Sequence, residues 1–285
     1  MNVPGAAAAA SADPALTAQL DLSFARAPSG ATYLARQYAG FPFHVTRALQ
    51  LDEQPSGMAT VVLQSLGAGL LQGDRLAMTI AAQAGAAAHV TTQGSSVAHA
   101  MTRQGARQDA ALVVGAGALL EYLPRPMILF PQADVTTSLD IVLHDGATVM
   151  WCDGYLAHDP HKQDGRFTRL AAETALRDGN GVMLALDRFE IDGSVLGEAG
   201  VMAGYAVHAS IGIAGSGADA ELAALWRATL DAVEGVYGGV STLPGEAGLF
   251  CRLLARDGVA LRGAMLALWR AMRMKRFGVE PGVRP

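Results

Sequence analysis

The chain has 285 residues, 51% of them hydrophobic and 16% charged, with a formal net charge of -5 at pH 7. Length and apolar content suit one large β domain with a sizeable core, and the charge balance offers no clustered Lys and Arg of the kind nucleic-acid binders carry. Two cysteines, Cys152 and Cys251, are too few for a disulfide framework and point to a reducing, cytoplasmic setting, while no apolar run approaches the roughly 20 residues of a membrane span.

Residues 1 to about 20 are alanine-rich and low in complexity, which predicts a disordered leader. A single domain is expected over 21–285, with a β region over about 30–213 and a helical region over about 217–277. Ala31 to Tyr38 and Phe41 to Arg47 read as strand edges around a proline. Met58 to Leu66, short and rich in Val and Leu, reads as a strand that delivers the chain into Gly67-Ala68-Gly69-Leu70-Leu71-Gln72-Gly73-Asp74-Arg75-Leu76. The glycines Gly67, Gly69 and Gly73 describe a backbone that needs positive φ. A dinucleotide loop would have to open a helix, and Arg75 to Ile80 is strand-like instead, so no pyrophosphate-binding helix N-terminus follows.

Beyond this stretch a strand, a glycine turn and a second strand recur around Gly85, Gly117, Gly146 and, more loosely, Gly181. A period of about 30 residues is the signature of a stacked, solenoid-like β architecture in which each unit buries its neighbour. Two further strand-like pieces lie between Phe189 and Ile213. Helical spacing then takes over: Leu222, Leu225, Trp226, Thr229, Leu230 and Val233 predict a helix from Asp219 to Val236 that stops at Gly238-Gly239, and Leu261, Met265, Leu268, Trp269 and Met272 predict another from Asp257 to Phe277. Arg270, Arg273, Lys275 and Arg276 read as cations placed favourably at the end of the second helix.

No nucleophile elbow is present, because Gly94-Ser95-Ser96 and Gly215-Ser216-Gly217 lack the Gly-x-Ser-x-Gly context. His158-Asp159-Pro160-His161, close to Cys152 and Asp153, has the residue types for a borderline metal such as nickel or zinc, and its turn formers fit an ordinary solvated loop equally well. Asp74, partly buried by Leu71 and Leu76, reads either as an Asx-type turn clamp or as a polar lining residue. His44, His89, His99 and His208 are isolated and read as structural.

Taken in order, the Gly67–Leu76 stretch, Gly85-Ala86, Thr91-Thr92-Gln93, Leu120-Glu121-Tyr122-Leu123-Pro124 and Gly165-Arg166 resemble the landmarks of the UreD (UreH) family of urease accessory proteins. The likeness runs from about residue 30 to 190 and departs from the family pattern at Val97, His99 and Phe167 to Leu170. What the resemblance implies is a non-catalytic scaffold of stacked β units with C-terminal helices. It would bind apo-urease, a UreF-like protein and, through that, a UreG-like GTPase, with no tightly bound cofactor and nickel only in transit. Asp74, Asp153, His158 and His161 are then the metal-path candidates, and Gly67, Gly69, Gly73, Thr91, Thr92, Gln93, Glu121, Pro124, Gly165 and Arg166 the structural motif positions. The alternatives are service to a different urease-like nickel hydrolase, or an enzyme using His158, His161 and Asp153.

Overall fold

A computed structural model describes residues 19–282. The first half contains strands β1 (Leu20–Arg26), β2 (Thr32–Ala39), β3 (Phe43–Val45), β4 (Ala59–Ser65), β5 (Arg75–Ala82), β6 (Ala87–Thr92), β7 (Val97–Ala98), β8 (Ala106–Val114), β9 (Leu119–Leu123) and β10 (Met127–Leu129). Then come β11 (Asp134–Leu143), β12 (Thr148–Ala157), β13 (Arg169–Asp178), β14 (Met183–Asp192), β15 (Val207–Gly215), helix α1 (Ala220–Asp231), β16 (Val236–Thr242), β17 (Gly248–Ala255) and helix α2 (Gly258–Phe277). None of the described helices is long and apolar enough to cross a membrane.

The strands form two sheets. The first runs β14-β13-β11-β8-β5-β1-β2, and the second, of ten strands, runs β16-β17-β15-β12-β9-β6-β4-β3 with β10 and β7 attached beside β12. The expected repeat explains this arrangement. In three successive units the strand before the turn (β5, β8, β11) lies in the first sheet and the strand after it (β6, β9, β12) in the second, and units stack in parallel register in both. The turns over 83–86, 115–118 and 144–147 each place a glycine in the left-handed region, Gly85 at φ 69°, Gly117 at 63° and Gly146 at 67°. The following alanines, Ala86, Ala118 and Ala147, are buried, and the turns bond to one another through Gly85 N–H to Ala116 C=O (2.9 Å) and Gly117 N–H to Asp145 C=O (3.0 Å). Residues alternate along each strand, so one face of each sheet supplies the core between the sheets, including Phe24, Ile80, Leu112, Leu120, Ile141 and Trp151. The outer face of the second sheet is covered by α1 and α2 through Ile211, Leu253, Trp226 and Leu268, with Trp226 Nε1 donating to Leu268 C=O at 2.9 Å.

The looser fourth repeat has a different geometry. β13 and β14 form an antiparallel hairpin within the first sheet, because Gly181 is followed by exposed Val182 rather than a buried alanine, and Asp178 closes the turn by accepting from Asn180 and Val182 N–H. The first helix is shorter than its periodicity predicts. It ends at Asp231, Gly235 turns the chain at φ 78°, and Gly238-Gly239 lie inside β16, so the expected helical region carries two strands between its helices. Most of the expected leader lies outside the described residues, but its last residue, Leu20, opens β1 and is fully buried.

Two glycine substitutions separate backbone strain from steric conflict. Gly117→Ala meets no atom within 4 Å and is expected to cost about 1 kcal/mol through its left-handed backbone alone. Gly212→Ala drives a methyl to 2.2 Å from the Trp151 ring and should lower stability by about 1–3 kcal/mol. Urea titration of both variants checks the order, and equal losses would refute the packing assigned to Trp151.

Candidate functional site

The glycine stretch is a corner between β4 and β5. Gly69, at φ 120°, brings its backbone so close to Val97 that a Cβ would fall 2.1 Å from the Val97 carbonyl oxygen, and the contact is fixed by Leu70 N–H to Val97 C=O at 2.8 Å. Gly73 adopts φ 81°, and Asp74 Oδ2 accepts from Leu71 N–H at 2.8 Å, the Asx-type clamp of the two readings. Thr91 and Thr92, at the end of β6, hold the segment after β9: Thr91 Oγ1 donates to Leu123 C=O (2.7 Å), and Thr92 Oγ1 accepts from Arg125 N–H (2.9 Å). Gln93 N–H donates to Leu63 C=O. Pro124 offers its carbonyl to Cys152 Sγ at 3.4 Å. Gly165 packs against Pro131 and donates to Asp159, while Arg166 C=O accepts from Gln132 N–H. The motif positions therefore shape the backbone around one region.

That region contains two cavities. One, of about 360 Å³, lies between the sheets and is lined by Gly67, Gly69, Thr92, Gln93, Gln108, Thr137, Asp153 and Glu173 among others. The second, of about 640 Å³, lies between the outer face of the second sheet and α2, under Leu261, Met265 and Trp269, with Arg125, Arg262 and Arg270 among its walls. Thr92, Ser95, Pro124, Arg125, Cys152 and Asp153 line both. On β12, successive side chains face opposite sides of the sheet, Asp153 inward with Trp151 and Cys152 outward with Met150. The two cavities thus lie back to back across the sheet at Cys152-Asp153.

Asp153 is chemically unusual. Burial, reinforced by the Asp187 carboxylate, pushes its pKa up to about 6, and Asp153 Oδ1 has no hydrogen-bond partner. Burial also raises the Cys152 thiol far above its ordinary value, with Asp153 adding to the shift, so Cys152 stays protonated.

His158 and His161 do not join it. Both are exposed on the loop after β12, where Asp159 accepts from His161, Gln163 and Gly165 N–H in an ordinary turn. Among the described residues no group of three His, Cys, Asp or Glu side chains is placed to hold a metal.

Sequence reasoning missed a buried ion network. Arg273, read only as a cation favourable at the helix end, has no exposed surface, and its Nε and Nη2 donate to the two oxygens of Glu121 at 2.6 and 2.9 Å. Glu121, also fully buried, pairs with His89 Nδ1 at 2.8 Å across the β6–β9 register. Arg273 Nη1 reaches Gln54 C=O at 2.8 Å and lies 3.6 Å from Asp52, which accepts from Gly282 N–H. His89 stacks on Trp269 at 4.9 Å. Burial alone would raise the Glu121 carboxyl, but the Arg273 charge and His89 outweigh it and lower its pKa to about 2. One signal was present: Arg273 follows Met265 and Trp269 at helical spacing, on the apolar stripe.

Comparison with known proteins gives consistent matches. The family model described as UreD urease accessory protein matches residues 16–285. "Urease accessory protein UreD 1" of Pseudomonas syringae pv. syringae is 40% identical over 266 residues, 92% of this chain and 93% of that protein. "Urease accessory protein UreD 1" of Methylorubrum populi is 38% identical, covering 93% and 90%. "Urease accessory protein UreD" of Natronomonas pharaonis is 34% identical, covering 91% and 87%.

Two substitutions test the electrostatics. Glu121→Gln leaves Arg273 buried without its carboxylate and should lower stability by about 3–5 kcal/mol at neutral pH. Because the folded pKa is depressed, the wild-type advantage is complete above about 4.5 and disappears as pH falls toward about 2; an unchanged urea midpoint at pH 7 would contradict it. Asp153 has the opposite sign. Its folded pKa is raised, so its ionisation erodes stability as pH rises from 3.8 to about 6. Asp153→Asn should therefore be more stable than wild type at pH 7.5 and match it near pH 3, and the reverse order in thermal melts would refute the raised pKa of this carboxyl.

Proposed function

We propose a function on one premise: the chain belongs to the UreD family of urease accessory proteins, and it acts as a scaffold for nickel metallocentre assembly rather than as an enzyme. In this reading it binds apo-urease and a UreF-like protein, which brings a UreG-like GTPase, and nickel crosses the chain on its way to the urease site.

The observation that carries the reading is the pair of cavities on opposite faces of the second sheet, which share Thr92, Ser95, Pro124, Arg125, Cys152 and Asp153 as wall residues. An ion entering under α2 would meet the carboxylate at the crossing and continue between the sheets past Gln108, Thr137 and Glu173. Oxygen donors suit a divalent ion that must be released again, and the scarcity of His and Cys around the inter-sheet cavity favours passage over storage. Gly67 and Gly69 of the glycine corner and Thr92-Gln93 of the Thr-Thr-Gln landmark line the inter-sheet cavity, which gives those positions a physical role: they hold the walls in place. Service to a different nickel hydrolase uses the same route and differs only in the enzyme that receives the metal.

Co-expression with urease subunits and the UreF-like and UreG-like proteins tests the proposal. Omitting this chain should leave urease largely without nickel, and Asp153→Ala should lower its nickel content while the chain still co-purifies with the UreF-like protein. Full nickel loading without this chain would overturn the function.

A further inference from the structure

We propose that the cavity under α2 binds a small organic anion with a hydrocarbon tail, a straight-chain monocarboxylate of medium length, with Arg125 and Arg262 taking the carboxylate. The cavity holds about 640 Å³, within the roughly 300–1,000 Å³ of pockets that enclose small molecules. Packed elements rarely stand this far apart, because apolar surface without neighbours forfeits its contacts. Here α2 is pinned elsewhere. Arg273, in its last turns, is tied to Glu121 and to Gln54 C=O, and the void lies under the earlier turns, from Gly258 to Arg270.

The walls give the cavity an apolar body. Leu156, Val207 and Ile211 face it from the sheet, and Leu261, Met265 and Leu266 from the helix. Pro281 and Gly282, beyond the end of α2, return to line it as well. Two contacts hold that segment in place: Gly282 N–H donates to Asp52 Oδ1 at 3.0 Å, and Arg270 Nε lies 3.4 Å from Glu280. Such a body offers a hydrocarbon chain a surface to bury and nothing for a second polar group to bond.

The anion follows from the charges. Three arginines stand in the walls, Arg125 from the segment after β9 and Arg262 and Arg270 from α2. Arg270 has Glu280 beside it, whereas among the described residues neither the Arg125 nor the Arg262 guanidinium makes an ion pair or a hydrogen bond. Arg125 is half-buried, and a cation partly withdrawn from water without a counter-charge is costly until an anion supplies one. Asp153 is the one acid among the described wall residues, and its side chain turns with Trp151 to the other face of the sheet. A carboxylate suits the unpaired cations because its two oxygens match the guanidinium fork. The inference goes beyond the proposed function and uses none of its metal steps.

Calorimetric titration of the purified full chain with hexanoate, octanoate and decanoate tests the proposal. Affinity should rise about fourfold for each buried CH₂, or about fifteenfold for each two carbons added. Decanol, which keeps the tail and lacks the charge, should bind at least about tenfold more weakly than decanoate. Arg125→Gln and Arg262→Gln should each weaken decanoate by about tenfold, while Arg36→Gln, on the far edge strand β2, should leave it unchanged. Ala209→Leu enlarges a wall residue and should abolish binding; if it fails a melting check, the two arginine variants carry the comparison. No decanoate binding, an affinity blind to chain length, decanol as tight as decanoate, or binding untouched by the wall variants overturns the proposal. Retention on phosphatidylglycerol vesicles in place of decanoate binding overturns it too, since the anion would then be a membrane lipid. Urease nickel content enters none of these readouts, so failure of the site and failure of the metal function are told apart.

Discussion

A guanidinium and a carboxylate that are both fully removed from water can coexist only if nearly every donor and acceptor is matched, because desolvating the two charges is costly and a poor geometry would not recover the loss. Arg273 and Glu121 meet that condition. Two parallel hydrogen bonds join them, His89 takes up the remaining demand of the carboxylate, and Gln54 and Asp52 receive the outer nitrogen. The residues concerned come from β6, β9, α2 and the loop before β4, and Gly282 joins through Asp52. The network adds a fixed set of partners to the apolar packing of α2 on the sheet. The network fixes α2, and α2 is the roof of the larger cavity.

From that constraint the architecture divides the work. The stacked turns with their left-handed glycines and buried alanines build a regular, stable core between the sheets. Toward the other end of the sandwich the interior becomes polar: Gln108, Thr137 and Asp153 face a cavity where the repeats elsewhere place Leu, Ile and Val. Burying an ionisable group without a matched partner weakens a fold, and sites that do so are commonly functional. The contrast between Glu121 and Asp153 makes the point within one sheet. Glu121 is fully buried, fully paired and held ionised; Asp153 is half-buried, lacks a partner at Oδ1, and has its pKa raised to about 6.

Much of the fold was legible because it repeats. The turn glycines mark the stacked units, the 3.6-residue period marks α2, and Asp257 and Gly278 cap it at the two ends. What could not be read was which sheet each strand joins: the fourth unit has the same strand-glycine-strand pattern as the others and differs only in lacking the buried alanine after its glycine. The end of α1 was misplaced because Val233 and Val236 continue the helical spacing across Gly235, whose left-handed backbone stops the helix. At the site, Asp153 was visible as a residue type but its partners were not. The nearby histidines in sequence, His158 and His161, turn out onto a loop, whereas Ser210 reaches Asp153 from a strand more than fifty residues later through β-sheet register. Arg273 was hidden by its company, since a cation at the end of a basic helix has an adequate explanation in the helix dipole.

The central claim is that metal is carried inside the sandwich rather than over its surface. Anomalous diffraction at the nickel edge, from crystals of this chain grown with nickel(II), tests it most directly. The account predicts an anomalous peak between the sheets beside Asp153, whereas peaks confined to the exposed His158 and His161 loop, with none in either cavity, would contradict it.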